Sequence, residues 1–128
     1  LESVSRATKT LTEAGIRVSL FIDPDADQLI AAQEAGAPVV ELHTGTYADA
    51  RGDHQALELK RLHAACIQGH ELGLQINAGH GLHLDNVQPV VGLPHMVELN
   101  IGHSIVARSI FVGLEQAVRE MREAIHAA

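Results

Sequence analysis

The sequence predicts a parallel α/β fold, because short aliphatic runs alternate with longer amphipathic helical stretches along its 128 residues. Hydrophobic residues make up 46% of the chain but aromatic residues only 2%, so Ala, Val, Leu and Ile must build the core. Buried parallel strands favour such aliphatic residues. Three predicted strands also end in a polar residue, a glycine and a nearby histidine. Ligands of parallel α/β proteins bind at the carboxyl ends of strands, so one shared site is expected there.

The elements are predicted in chain order from apolar spacing and from the residues that start or stop helices. A helix over residues 1–14 stops at Gly15, and a strand follows over 17–22. Asp23 caps the next helix, with Pro24 at its first position, and this helix ends near residue 35. The remaining predicted elements are a strand at 38–44, a polar and mobile loop at 45–53, a helix at 54–70, a strand at 72–77, a short helix at 84–91, a strand at 96–100, and helices at 104–112 and 114–127.

This order is one helix followed by four strand–helix units, the repeating unit of a β/α barrel. A complete barrel needs eight units and about 250 residues, so the chain is predicted to form half of one. The chain also begins on a helix rather than a strand, as if cut from something longer. We therefore expect a single partial domain over residues 1–128. The short helix after the last strand is a further barrel trait. In many barrels a phosphate group binds where the last strand–helix loop meets such a helix.

Charge, aromatic content and cysteine content exclude several classes of function. The net charge is −7 with nine Lys and Arg residues, so no broad basic surface for nucleic acid is expected, and aromatic stacking platforms are also lacking. The single cysteine, Cys66, excludes an internal disulfide, fits a reducing compartment and is expected to pack inertly in its helix. No apolar run approaches the ~20 residues that cross a bilayer, and no signal peptide opens the chain. A cytoplasmic protein without nucleic-acid or membrane partners is expected.

A near-repeat links two of the strand ends, VELHTG at 40–45 and VELNIG at 97–102. A buried carboxylate is costly unless it is paired, so an inward-facing glutamate needs a reason. Glu41 is predicted either to serve acid–base chemistry or a cationic intermediate, or to brace the barrel interior in a polar network. For Glu98, which lies deeper in its strand, the bracing network is favoured. Strict alternation assigns the inward face to Val39, Glu41, His43, Glu98 and Asn100, and the outward face to Val40, Leu42, Val97, Leu99 and Ile101.

Two histidines that follow strand ends are candidate functional residues. His80 lies between two glycines, which let a ligand approach a proton donor or acceptor closely, although this imidazole could instead bond its own loop. Gly102 and His103 precede a helix whose N–H groups and dipole would favour a phosphate. Ser104 could cap that helix, contact the same phosphate, or do both. Arg108, one turn further on, is expected to be a surface charge.

Nine histidines invite a metal hypothesis. A site made of His43, His80 and His103 from three strand ends is compatible with the predicted topology, and it would suit a metal-dependent hydrolase. No HExxH or CxxC pattern occurs, and neither a GxGxxG nor a Walker sequence is present. The residues therefore predict no nucleotide cofactor, and the metal site remains the weaker alternative.

Four segments resemble the pyridoxine 5′-phosphate synthase family, in order and over essentially the whole chain. They are GIRVSLFID at 15–23, VELHTG at 40–45 with YADA at 47–50, INAGHGL at 76–82, and ELNIGHSI at 98–105. They match the carboxyl-terminal half of that family's chain. The resemblance implies a (β/α)₈ barrel with extra helices, assembled as a homo-octamer, which closes the pyridine ring of vitamin B6 without a metal or organic cofactor. The implied substrates are 1-deoxy-D-xylulose 5-phosphate and 3-amino-2-oxopropyl phosphate, and the implied products are pyridoxine 5′-phosphate, phosphate and water.

The resemblance also implies roles for particular residues. The family's proton-donating histidine falls on His80 and its stabilising glutamate on Glu41, while substrate and phosphate contacts fall on Gly81, Gly102 and His103. The segment at 45–53 is a candidate lid. The family's amino-terminal half, with another catalytic histidine, a catalytic glutamate and phosphate-gripping arginines, is absent. The chain alone is therefore expected to be inactive and to aggregate or pair with another half. The alternative function is a non-catalytic phosphate-binding or assembly half-barrel.

Overall fold

The chain folds as one leading helix followed by four strand–helix units. The structure is a computed structural model that describes residues 1–127, so the predicted domain end at residue 128 lies outside the described residues. Within residues 1–127, no helix combines the length and the apolar character needed to span a bilayer. The elements are α1 (Glu2–Glu13), β1 (Ser19–Ile22), α2 (Ala26–Glu34), β2 (Val39–His43), α3 (Gly45–Asp49), α4 (Asp53–Glu71), β3 (Gln75–Gly79), α5 (Val87–Val91), β4 (Met96–Asn100), α6 (His103–Val112) and α7 (Leu114–His126).

The four strands form one parallel sheet in the order β1-β2-β3-β4. Each strand lies beside its neighbour in the sequence, and at least one helix returns the chain between consecutive strands. Over the described residues the sheet is not closed, and β1 and β4 are its edges. This confirms the predicted α/β class and the arrangement of half a TIM barrel. The helix predicted after the last strand is also confirmed as α6.

The outer face of the sheet carries the hydrophobic core. Val40 and Leu42 of β2 are fully buried and belong to one cluster with Leu29 of α2 and Leu62 of α4. Burying a leucine side chain completely stabilises a fold by about 1.5–3 kcal/mol. Cys66 of α4 lies in the same cluster, and burial raises the pKa of its thiol to about 12. The thiol is thus a packing group, as the sequence predicts.

The inner face of the sheet is polar near the carboxyl ends of the strands. Glu41 of β2 pairs in register with Asn77 of β3, which in turn pairs with Glu98 of β4. Two residues further on, His43, Gly79 and Asn100 occupy the next inward level. The predicted alternation therefore places these side chains together on one surface, which positions the site described below.

Strand β4 departs from strict alternation at Val97. Ile76 pairs with Met96 and Asn77 with Glu98, so Val97 has no partner on β3 and the register shifts there, as at a β-bulge. Val97 is 64% exposed, whereas Met96 packs against the core. The prediction that Val97 faces the core is wrong, because the extra residue brings Met96 to the outward position instead.

Helices α2 and α5 both begin later than the sequence predicts. Asp25, rather than Asp23, is the N-terminal flanking residue of α2, which starts at Ala26. The Asp25 N–H donates to the Asp23 carbonyl at 2.8 Å, so 23–25 forms a turn before the helix instead of its first residues. Similarly, the helix predicted at 84–91 is only Val87–Val91, because residues 83–86 form a turn.

Strand β3 begins at Gln75 rather than at residue 72. Leu72 and Gly73 instead complete the end of α4, where the Gly73 N–H donates to the His70 carbonyl at 2.9 Å. The strand consequently extends through Gly79, two residues beyond its predicted end. At this end of the strand the Gly79 carbonyl accepts a hydrogen bond from the Thr44 N–H.

The prediction of a loop over 45–53 is wrong for its first half, which forms the short helix α3. Tyr47 and Ala48 of α3 are buried, and the Tyr47 hydroxyl donates to the Asn86 carbonyl at 2.8 Å. Burial raises the pKa of Tyr47. Tertiary packing therefore imposes helical structure on a five-residue segment that is too short for a clear periodic signal. The same packing argues against a freely mobile lid at Gly45–Asp49.

Candidate active site

A cleft of about 680 Å³ opens at the carboxyl ends of the strands. All five residues predicted to act lie on its wall: Glu41 from β2, His80 and Gly81 after β3, and Gly102 and His103 at the start of α6. They meet there because consecutive parallel strands end at the same edge of the sheet. The other residues that line the cleft are Phe21, Asp49, Leu82, Asn100, Ile101, Ser104 and Ala107.

Glu41 is held in the cleft by its neighbours on β3 and β4. The Asn100 side-chain amide donates to Glu41 Oε2 at 2.8 Å. A side chain at position 79 would collide with Glu41 Oε1 and with the Asn100 carbonyl, so only a glycine there leaves room for the carboxylate. Glu41 is half-buried, and it therefore remains accessible to a ligand while its direction is fixed.

His80 follows β3 and projects its imidazole beside two other rings. Its ring centroid is 4.8 Å from that of His43 and 6.5 Å from that of Phe21. The residue is exposed and has a positive φ of 81°, a backbone conformation that non-glycine residues rarely adopt. Because the imidazole is accessible from the cleft, it can exchange protons with a bound molecule.

Gly102 and His103, at the start of helix α6, also line the cleft. His103 is the first helical residue and Gly102 the residue before it, and among residues 1–127 no side chain caps this helix end. The N–H groups of a first helical turn have no partner within the helix, so they can bind an anion. The Ser104 hydroxyl donates instead to the Leu82 carbonyl at 2.7 Å, which ties α6 to the loop after β3. Of the roles considered for Ser104, capping its own helix is therefore wrong.

Arg108 does not line the cleft. Its guanidinium donates to Glu120 of α7, with Nε 2.9 Å from Oε2, and this hydrogen bond lowers the pKa of the Glu120 carboxyl. Arg108 is exposed, whereas Glu120 is half-buried. The expectation that Arg108 is a surface charge is confirmed.

Glu98 belongs to a separate polar network on the inner face of the sheet. Asn77 donates to Glu98 Oε1 at 3.1 Å and accepts from Gln75 at 2.9 Å. Gln75 in turn accepts from Arg17 at 2.6 Å. Glu98 does not line the cleft. Its contacts are those of the polar network that the sequence analysis favoured for it.

His43 lines a neighbouring open cleft, of about 690 Å³, which shares His80 and Asp49 with the first one. Its Nδ1 is 3.5 Å from Asp23 Oδ1. His103 lines the first cleft but not the second, and His43 lines the second but not the first, so the three histidines of the metal hypothesis do not share one cleft. In the part of the chain that the structure describes, no three His, Cys, Asp or Glu side chains are grouped closely enough to hold a metal ion.

Three residues around the site were not singled out by the sequence. Phe21 reaches the cleft from the inner face of β1. The sequence feature that could have identified it is its rarity, because the chain has only two phenylalanines and one of them lies at an inward strand position. Asp49 was hidden because its segment was predicted to be a loop. Thr44 is fully buried and bonds to the backbone at Gly79 and His80, a contact between positions about 35 residues apart.

Comparison with known proteins assigns the chain to a family. The family model described as "Pyridoxal phosphate biosynthesis protein PdxJ" matches residues 1–127. The chain belongs to this family. The pyridoxine 5′-phosphate synthase of Idiomarina loihiensis, a PdxJ relative, is 54% identical over 129 residues. This match covers 100% of the chain and 53% of the relative, so the chain spans about half the length of that protein and corresponds to its carboxyl-terminal half.

Proposed function

We propose that this chain forms the carboxyl-terminal half of a pyridoxine 5′-phosphate synthase. The reaction condenses 1-deoxy-D-xylulose 5-phosphate with 3-amino-2-oxopropyl phosphate and gives pyridoxine 5′-phosphate, phosphate and water. The observation that carries the proposal is the convergence of Glu41, His80 and the start of α6 on one cleft. Membership of the PdxJ family supports vitamin B6 biosynthesis as the setting.

His80 is the proton donor in this proposal. Imine formation, dehydration and loss of phosphate each need a proton delivered to a departing oxygen. An imidazole suits several such steps because its ordinary pKa lies near neutrality. Its place at the wall of the cleft, on a loop tied to both α3 and α6, supports that role.

Glu41 stabilises positive charge that develops on the substrate nitrogen as the imine forms. The carboxylate is held by the Asn100 amide at 2.8 Å, so it needs little reorganisation when the charge appears. Gly81, Gly102 and His103 contact the substrates, and the start of α6 receives a phosphate group. The net charge of −7 opposes anionic substrates at long range, so these local donors must supply the attraction.

The proposal requires no metal or organic cofactor, since acid–base groups suffice for the chemistry. We place the protein in the cytoplasm and propose that it acts as a homo-oligomer, an octamer by resemblance to its family. Ile110 and Phe111 of α6 support association, because they are 79% and 83% exposed and large apolar side chains in a patch favour burial. The chain alone is expected to be inactive, since its open sheet leaves β1 and β4 unpaired on their outer edges.

The test uses a hybrid protein in which this chain replaces the matching half of the Idiomarina loihiensis synthase. We expect the hybrid to form pyridoxine 5′-phosphate from the two substrates, measured by chromatography, and the isolated chain to form none. His80→Gln should lower the turnover of the hybrid by about 100-fold or more. His63→Gln, a change at an exposed histidine of α4, is the matched control and should leave turnover unchanged.

Three outcomes would each contradict a part of the proposal. A hybrid that is folded by circular dichroism and binds inorganic phosphate, yet forms no product, would favour the non-catalytic phosphate-binding half-barrel. Full turnover by His80→Gln would remove that residue from the mechanism. Product formation by the isolated chain would overturn the claim that the half is inactive.

A further inference from the structure

The loop that carries His80 is held in an unfavourable backbone conformation. His80 and Gly81 both have positive φ values, 81° and 76°. A glycine adopts such values freely, but a histidine does so at a cost in free energy and only where the surroundings enforce it. The contacts that enforce it must therefore come from other elements of the fold.

Thr44 makes the most direct of these contacts. It is fully buried, and its hydroxyl lies 2.7 Å from the Gly79 carbonyl and 2.6 Å from the His80 carbonyl. Its backbone N–H also donates to the Gly79 carbonyl, at 2.9 Å. The single hydroxyl proton is thus shared between two consecutive carbonyls, one on each side of the turn into the left-handed conformation.

The position of Thr44 makes this use of the hydroxyl unusual. Thr44 is the residue before helix α3, where a threonine hydroxyl ordinarily accepts from the N–H groups of its own helix. Within the described part of the chain no side chain caps α3, and the hydroxyl that would do so is directed to the His80 loop instead. A stabilising local contact is given up for a contact with positions 35 and 36 residues away.

Helix α3 holds the rest of the loop, so the hydroxyl acts on an otherwise fixed segment. A side chain on Gly81 would come within 2.7 Å of the Ala48 Cβ, which shows how closely the loop packs on α3. The Asn86 amide donates to the Gly81 carbonyl at 3.2 Å, and Asn86 itself accepts from the Tyr47 hydroxyl. Among these contacts, Thr44 is the one that reaches the carbonyl of His80 itself.

We propose that Thr44 is a positioning residue for the His80 imidazole. Its hydroxyl fixes the direction of the His80 carbonyl, and through the left-handed backbone it keeps the imidazole on the wall of the cleft. Without the hydroxyl, the Gly79 carbonyl still accepts from the Thr44 N–H, but the His80 carbonyl loses its contact with Thr44. The peptide between positions 80 and 81 then rotates to regain a partner. The effect on turnover rests on the proposed function, because that function makes His80 the proton donor.

The activity test compares three variants of the hybrid protein. Thr44→Val removes the hydroxyl at nearly constant volume, Thr44→Ser keeps it, and Thr46→Val makes the same change at an exposed residue of α3. Thr44→Val should lower kcat about tenfold while KM changes less than about twofold, since misplacing an acid by a fraction of an ångström impairs proton transfer more than binding. Thr44→Ser should restore most of kcat, and Thr46→Val should not alter it.

A second measurement does not depend on activity. In the hybrid labelled with ¹³C at the histidine Cε1, the His80 signal is assigned by its loss in His80→Gln. Thr44→Val should shift or broaden this signal, while the His103 signal on α6 stays in place as an internal control. If Thr44→Val prevents folding, Thr44→Ala takes its place, because it adds no methyl group against the two carbonyls.

The outcomes separate this inference from the proposed function. An unchanged His80 signal in folded Thr44→Val, or a Thr44→Ser variant as impaired as Thr44→Val, would overturn the positioning role. A shifted His80 signal in a hybrid that forms no product in any variant would support the positioning role and contradict the synthase activity. Equal losses in kcat for Thr44→Val and Thr46→Val would indicate a general structural effect and also overturn the inference.

Discussion

Strands β2 and β4 carry nearly the same six residues, VELHTG and VELNIG, yet they have different environments. Val40 of β2 is fully buried, whereas its counterpart Val97 is 64% exposed. Glu41 reaches the cleft and is bonded by Asn100, whereas its counterpart Glu98 is bonded by Asn77 and stays outside the cleft. Each copy ends in a glycine at the start of a helix, α3 in one case and α6 in the other.

The difference arises from the neighbours of each strand. β2 lies between β1 and β3, with α2 and α4 packed over its outer face, so both its edges and its aliphatic face are covered. β4 pairs only with β3 over the described residues, and the irregularity at Val97 turns that side chain out of the core. The same short sequence therefore yields a buried central strand or a partly exposed edge strand, depending on the tertiary context.

The largest expected effect separates the two glutamates. In the hybrid protein, Glu41→Gln should lower turnover about 100-fold, because the amide lacks the negative charge that stabilises the cationic intermediate. Glu98→Gln keeps the shape of the side chain and its hydrogen bond to Asn77, and it should change turnover by less than about threefold. Steady-state kinetics of both variants give the test. Equal losses for the two would break the distinction between the strands.

The two valines should differ in their contribution to stability. Val40→Ala removes buried methyl groups and leaves a cavity, so it should lower the free energy of unfolding by about 2 kcal/mol. Val97→Ala changes an exposed side chain and should cost less than about 0.5 kcal/mol. Urea unfolding of the hybrid, followed by circular dichroism, measures both values. If Val97→Ala proves as costly as Val40→Ala, the synthase half that is joined to this chain in the hybrid covers the edge strand.

The smallest effect concerns the core behind β2 and depends on pH. Burial raises the pKa of Cys66 from 9.0 to about 12, so the unfolded chain loses this proton at a lower pH than the folded one. The stability that the neutral thiol contributes is fully present below about pH 9 and is lost as the pH rises towards 12. At pH 10 the loss should be about 1 kcal/mol.

The test for Cys66 compares the hybrid with its Cys66→Ala variant. For each protein, the urea concentration at the midpoint of unfolding is measured at pH 8 and at pH 10. The variant lacks the thiol, so its midpoint should fall less between the two conditions. The midpoint should still fall somewhat in both proteins, in part because burial also raises the pKa of Tyr47. If the midpoint falls equally in the two proteins between pH 8 and pH 10, burial in the core does not raise the pKa of the thiol.

The sequence by itself determined that the five predicted site residues share one cleft, although it did not identify Phe21 or Asp49 on the same wall. Strand side chains alternate, and parallel strands end at one edge, so Glu41, His80 and the Gly102–His103 pair could be placed together from local patterns alone. The observed order of the four strands agrees with the β/α-barrel arrangement predicted from the sequence, in which consecutive strands lie side by side.

Only the tertiary structure decided how these residues are held. Helix α3 has five residues, too few for a periodic signal, and it forms because Tyr47 and Ala48 are buried against other elements. The register irregularity at Val97 and the bonds from Thr44 to the His80 loop depend on partners distant in the sequence. Local residue patterns specify which face a side chain occupies, but hydrogen bonds and packing between distant segments exist only once the chain has folded.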